Sequence, residues 1–174
     1  MASKNNHFVY WDSCIFLAWI NNEPSRASII QGMWDDITKN KDGKIVTSAI
    51  SIVEVSHVKQ EKLSKSLNPR INKQIDDMWN DPYIVIVEAN TPIMNMAKGL
   101  MREVIPKGWS LKGYDAVHLA TAKFVEQNGI IIQEFDTYDD KLFKYSSIIN
   151  ITVQEPHYVP QSEQLGLFND NVDE

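Results

Sequence analysis

Five short apolar or β-branched runs recur along the chain, at residues 7–11 (HFVYW), 44–47 (KIVT), 83–89 (YIVIVEA), 130–135 (IIIQEF) and 148–153 (IINITV). Between them lie segments whose apolar residues recur every three or four positions, the spacing of a helix with one buried face. A strand that is apolar throughout cannot turn either face to water. It must be covered on both sides, and strands that alternate with helices obtain that cover as a parallel sheet between two helical layers. The expected fold class is therefore α/β, a three-layer α/β/α domain. With 174 residues and 43% hydrophobic content there is material for one well-filled core and little for two. The domain is expected to span residues 1–154. Residues 155–174 lose periodicity and end in NDNVDE, so they are expected to be a flexible acidic tail, with docking of Leu165, Leu167 and Phe168 on a partner as the less favoured alternative.

The helices are read from their ends. EPSRASIIQGMWDDITKN has Pro24 near its start and Ile29, Ile30, Met33, Trp34 and Ile37 on one face. After the second strand, Ser48 is placed to cap a helix that continues past Glu54. NPRINKQIDDMWNDP is helical between two prolines. NTPIMNMAKGLMREVIP starts with Thr91 as cap and Pro92 in the first turn, and LKGYDAVHLATAKFVEQNG runs to a stop at Gly129. TYDDKLFKYS is a short helix or turn.

Several classes are excluded or disfavoured. No apolar stretch reaches the ~18 residues needed to span a bilayer, and MASKNNH lacks the apolar centre of a secretory signal, so a soluble cytoplasmic protein without membrane partners is expected. Cys14 is the only cysteine, which leaves no internal disulfide and no zinc cluster. A formal charge of −6 argues against a surface that is basic throughout. Lys59, Lys62, Lys65, Arg70 and Lys73 nevertheless form a local basic stretch. It is a candidate path for a nucleic-acid backbone, with an ordinary solvated helix face as the alternative.

The chemistry-bearing residues are acids. In an open parallel sheet, ligands bind beyond the carboxyl ends of the strands, where strand order reverses. Asp12 sits at such an end, Asp115 begins the most apolar helix, and Asp136, Asp139 and Asp140 follow the fourth strand. Glu54 lies among Ile52, Val53 and Val55, where a lone carboxylate is costly to bury without a partner. Asp12 and Asp115 also fit as helix caps, Glu54 as an outward-pointing residue, and most of the loop acids as surface. Clustered carboxylates raise one another's pKa unless something positive sits among them, and a divalent cation meets that need. Oxygen-only donors favour Mg2+ or Mn2+ over structural zinc. Such an ion lowers the pKa of bound water and steadies both oxygens of a phosphodiester undergoing displacement.

Four stretches, VYWDSCIFLAWINNEP, VTSAISIVEV, LKGYDAVHLATA and FDTYDDKLF, together resemble the successive acidic motifs of the PIN-domain nucleases, in order and with similar spacing over residues 7–153. The resemblance implies a five-stranded parallel sheet in the order 3-2-1-4-5 and Mg2+- or Mn2+-dependent RNA cleavage. It also implies a homodimer, and, as in many small bacterial members, a toxin held inactive by a small antitoxin protein. Carried over by motif, Asp12, Glu54, Asp115 and Asp139 become metal ligands and catalytic acids, with Thr137 in register beside Asp139. Asp136 is the alternative fourth ligand. Ser13 and Thr137 are candidates for contact with metal-bound water or phosphate, and Ser48 is an ordinary capping residue by preference.

Glu54 with His57 and Asp115 with His118 have the spacing of di-iron ligand pairs, but a bundle needs four long facing helices and this chain interrupts its helices with strands. His118 remains a candidate neighbour of the site. A phosphatase using a strand-end aspartate needs a second aspartate where Cys14 stands. A non-catalytic PIN-like module that binds RNA or acts as a scaffold is the remaining alternative, and it has no evident need for four acidic motifs.

Overall fold

The computed structural model describes residues 7–39 and 43–158. β1 (Phe8–Trp11) passes through Asp12 into α1 (Ser13–Ile20), and α2 (Ala27–Lys39) leads to β2 (Lys44–Ser48). Then come α3 (Ile50–Glu54), α4 (Lys59–Ser64), α5 (Pro69–Trp79), β3 (Ile84–Val87) and α6 (Thr91–Val104). The chain closes with α7 (Gly113–Gln127), β4 (Ile132–Asp136), α8 (Ser146–Ile149) and β5 (Val153–Gln154), with 3-10 turns at Ile105–Lys107 and Asp140–Tyr145. The strands form one sheet in the order β3-β2-β1-β4-β5, every pair parallel, as expected. No helix among the described residues is long and apolar enough to cross a membrane.

Strand alternation sends neighbouring side chains to opposite layers. From β1, Tyr10 enters a core with Phe135, Ile132 and the apolar faces of α6 and α7, and its ring stacks on Phe135 at 4.5 Å. Val9 and Trp11 enter a second core with Ile15 and Phe16 of α1, Ile30, Met33 and Ile37 of α2, and Met78 of α5. Trp11 is fully buried, in edge contact with Phe16 and Trp19. Each such side chain stabilises the fold by about 1.5–3 kcal/mol relative to exposure. Together these two contact sets fix the height of residue 12 above the sheet.

Four details depart from the sequence reading. The single helix expected after β2 is two: the chain breaks at Val55 (φ −103°, ψ 44°) and restarts at Lys59, so Glu54 is the last residue of a five-residue helix. Ser48 is the buried end of β2, and the α3 cap position falls to Ala49, which caps with no side-chain bond. Asn90, not Thr91, caps α6, its Oδ1 accepting from the Ile93 amide at 3.1 Å. IINITV is mostly not strand: Ile148 and Ile149 end α8, Asn150 turns the chain at φ 60°, and β5 is the two residues Val153–Gln154. Beyond β5, residues 155–158 continue onto α2, where a Cβ placed on Gly32 would collide with the Tyr158 ring. The tail expectation for residues 159–174, including Leu165, Leu167 and Phe168, lies outside the described residues.

Candidate active site

Strand order reverses between β2 and β4 around β1, and the crevice beyond their carboxyl ends opens at Asp12. The Asp12 amide donates to the Asp136 carbonyl at 3.1 Å, which ties the end of β1 to the end of β4. As expected of a cap, Asp12 Oδ1 accepts from the Ser13 amide at 2.7 Å. The other oxygen is held from the fourth motif: Thr137 Oγ1 donates to Asp12 Oδ2 at 2.8 Å and accepts from the Asp139 amide at 3.1 Å. Capping and site-building are thus performed by different oxygens of one carboxylate. Asp12 is 9% exposed.

Asp115 lies in the first turn of α7, whose cap position is Lys112, so Asp115 is not the cap that its sequence position suggested. Burial pushes its carboxyl above the ordinary aspartate range, the charges of Asp12 and Asp139 push it further, and Lys112 and His118 oppose them. Three acids from three segments therefore share one electrostatic neighbourhood. Asp139 spends one oxygen on capping the turn at Asp140–Tyr145, accepting from the Lys141 amide.

Glu54 approaches differently. Its Oε2 accepts from Ser13 Oγ at 2.6 Å and lies 2.9 Å from His118 Nε2. Half-burial alone would raise its pKa, but the His118 and Ser13 hydrogen bonds and the charge of His118 prevail, and the group is held below the ordinary glutamate value. His118 is buried on α7; its Nδ1 is 2.8 Å from Tyr10 Oη and its Nε2 is 3.1 Å from Ser13 Oγ and 3.5 Å from Asp12 Oδ1. A carboxylate can only accept, so Nε2 carries a proton and donates to Glu54 Oε2. Ser13 continues through Ser51 Oγ (3.0 Å) to Thr47 Oγ1 (2.8 Å), which donates to the Trp11 carbonyl. This buried polar ladder braces β1, β2, α3 and α7 against one another.

Ser13 and Thr137 were expected to face water or phosphate. Both are buried, and both spend their hydroxyls holding acids in place. Asp136 is placed apart from the group: fully buried, it has neither oxygen in a hydrogen bond. Burial first and Glu134 second push its pKa well up; Gln154 and the Trp11 indole are close enough to offset part of this without completing a bond. Strand alternation explains it, since Asp136 pairs in register with Trp11 and shares its side of the sheet. Lys59, Lys62, Lys65, Arg70 and Lys73 lie exposed on α4, its end and α5, and Lys73 is paired with Asp77 at 2.6 Å.

His118, a candidate neighbour of the site from its three-residue spacing to Asp115, does lie beside these acids. Four further participants carry no such signal. Tyr10, Ser51 and Thr47 look like ordinary strand and helix residues in sequence. Cys14 is the fourth, with Sγ 3.3 Å from Asp12 Oδ2 and 3.4 Å from Thr137 Oγ1; burial and the Asp12 charge push its thiol pKa up, which keeps it protonated and unreactive.

The donor set of Asp12, Glu54, Asp115 and Asp139 is all oxygen, and its mutual repulsion fits a hard divalent cation. Among the described residues no three acidic, histidine or cysteine side chains already stand at ligating spacing. Asp12 is braced, whereas Glu54, Asp115 and Asp139 are half-exposed, so closing around a cation would fall to those three.

Residues 9–146 match the PIN domain family model, and the chain belongs to that family. Compared with curated proteins, the sequence has no significant match. Among solved structures, a chain of VapBC2 from Rickettsia felis, crystallised with a DNA fragment from its promoter, shares the fold at TM-score 0.58 and 18% identity, covering 85% of this chain and 98% of that one. A toxin–antitoxin complex from Klebsiella pneumoniae gives 0.55 and 17%, covering 87% and 99%. VapC20 from Mycobacterium tuberculosis, described as a Sarcin-Ricin loop cleaving toxin, gives 0.54 and 15%, covering 76% and 92%.

Proposed function

We propose that this protein is a divalent-metal-dependent endoribonuclease, acting in the cytoplasm as the toxin half of a toxin–antitoxin pair. The observation that carries the proposal is the gathering of Asp12, Glu54 and the Asp139 turn at the reversal of strand order, tied together by the hydrogen bonds of Ser13, His118 and Thr137. The toxin reading is supported by family membership and by fold neighbours that include a toxin–antitoxin complex and a Sarcin-Ricin loop cleaving toxin. A homodimer and a small antitoxin partner belong to the same reading.

Asp12, Glu54, Asp115 and Asp139 would hold Mg2+ or Mn2+. When bound, the ion supplies a bound water of lowered pKa and charge stabilisation at the phosphate. The chain's own residues do the rest. Thr137 fixes Asp12 and the start of the Asp139 turn at a common height. Ser13 and His118 hold one oxygen of Glu54 and leave the other, Oε1, with no hydrogen bond among the described residues. That oxygen would be free to orient a water at the scissile phosphate. Half-exposure of Glu54, Asp115 and Asp139 leaves the crevice open to a strand.

A non-catalytic RNA-binding module is favoured by one observation, the lack of three donors at ligating spacing among the described residues. One assay separates the readings. Purified protein incubated with mixed RNAs should cleave them with Mn2+ or Mg2+, stop in chelator, and lose on the order of 100-fold or more in rate with Asp115→Asn, because the lost stabilisation is several kcal/mol. Cleavage that persists in chelator or in the variant rules out the mechanism. RNA binding without any cleavage selects the module.

A further inference from the structure

We propose that the α6–α7 connection is a binding subsite for single-stranded RNA, in which the groove beside Trp109 takes a base and Lys107 and Lys144 hold the flanking phosphates. This rests on the RNA-directed reading above and names a route for the strand other than the α4–α5 lysines.

The connection is rigid. The turn at Ile105–Lys107 ends at Gly108, whose φ of +68° suits glycine, and the Trp109 amide returns to the Val104 carbonyl at 3.1 Å. Trp109 is pinned from below by edge contact with Tyr145 at 5.7 Å, while Tyr145 Oη donates to the Ser110 carbonyl at 2.7 Å. Lys107 and Lys144, from distant parts of the chain, place their ammonium groups 5.6 and 5.5 Å from the centre of this one indole. The ion pairs among the described residues are Arg26–Glu23, Lys73–Asp77 and those of His118, so neither lysine has an acidic partner there. Two cations gathered on one ring in a chain of net charge −6 leave a concentrated positive spot that an anion would relieve.

Beside the indole lies a groove of about 470 Å3 lined by Lys98, Met101, Arg102, Ile105, Trp109 and Leu111. Met101 and Ile105 are 37% and 68% exposed at its wall. An aromatic platform with apolar walls and cations at the rim is the composition that binds an unpaired base together with its backbone. Lys112, at the cap position of α7, lies four residues past Gly108 and three before Asp115, so the connection that carries Trp109 runs directly into the helix that carries Asp115.

The test uses the full chain carrying Asp12→Asn, to prevent cleavage, and a fluorescein-labelled single-stranded RNA followed by anisotropy across a salt series. Lys107→Gln with Lys144→Gln, both exposed, should weaken binding on the order of tenfold and reduce the salt slope by about 1.4, the value for two lost phosphate contacts on a single strand. Lys107→Arg with Lys144→Arg should restore both. Unchanged affinity and slope in the glutamine pair, or a loss seen only with Lys59→Gln and Lys62→Gln, overturns the subsite; so does a parent that binds no single-stranded RNA. Cleavage by the wild-type protein is scored separately on the same RNA. Cleavage with an inert Trp109 patch sinks only the subsite, and patch-dependent binding without cleavage sinks only the nuclease.

Discussion

Thr137→Val offers the sharpest test of the idea that buried hydroxyls, and not contacts with substrate, set the acid geometry. The threonine is fully buried, donates to Asp12 Oδ2 at 2.8 Å and accepts from the Asp139 amide at 3.1 Å. A hydrogen bond to a charged group contributes about 1.5–3 kcal/mol, and an amide left without its acceptor costs about 1 kcal/mol more. Valine returns a buried methyl, about 0.8 kcal/mol. The net expectation is a loss of about 2–3 kcal/mol at pH 7, read as a lower urea midpoint at unchanged slope. Thr137→Ser keeps the hydroxyl and loses only a methyl, about 1 kcal/mol. Shape alone predicts the opposite order, since valine fills the threonine site and serine leaves a gap. A valine variant as stable as the parent, with serine the weaker of the two, would refute the reasoning. RNA cleavage should fall further in the valine variant than in the serine variant, because only valine releases both acids.

Two further predictions concern stability away from the acid cluster. Asp136 has a raised folded-state pKa, so its contribution to stability is full below the unfolded value near 3.8 and is lost as pH rises through the folded value. Asp136→Asn mimics the neutral acid, so it should match the parent at pH 4 and exceed it at pH 7 by about 1–3 kcal/mol in urea denaturation; an equal or lower stability at pH 7 contradicts the burial argument. Gly32→Ala should displace Tyr158 from α2 and expose the residues around it to protease, while Gly32→Ala with Tyr158→Ala should recover up to about 1 kcal/mol of helix propensity; a double variant less stable than the single one would show that the ring is not displaced.

Periodicity determined much of this protein from sequence alone. Runs such as KIVT and YIVIV offer water little polar face, so strands covered on both sides and parallel are expected, with their terminal acids on one edge; the sheet is parallel, although its edge strand β3 leaves Val85 38% exposed. Asp12, Asp115 and Asp139 were legible for that reason: a strand end or a first helical turn fixes which edge a residue occupies before any contact is known. Local signals failed where two elements competed for the same residues. IINITV reads as strand by composition, yet Asn150 can take the left-handed turn that ends α8, and only two residues were left to pair with β4.

Tertiary structure decided which partner each polar group found. Asp136 and Asp139 are three residues apart and equivalent as letters, but the pleat turns Asp136 into the core beside Trp11 while the turn carries Asp139 toward Asp115. His118 and Tyr10 lie 108 residues apart and meet through one 2.8 Å bond. Glu54, stranded at the end of a short helix, becomes part of the site because Ser13 and His118 reach it from two other elements. Hydrogen bonds are directional and short, so they depend on where whole strands and helices pack, and no local pattern in the chain encodes that position. The sequence therefore determined which edge of the sheet gathers the acids, and packing decided which of them are buried and which stay half-exposed.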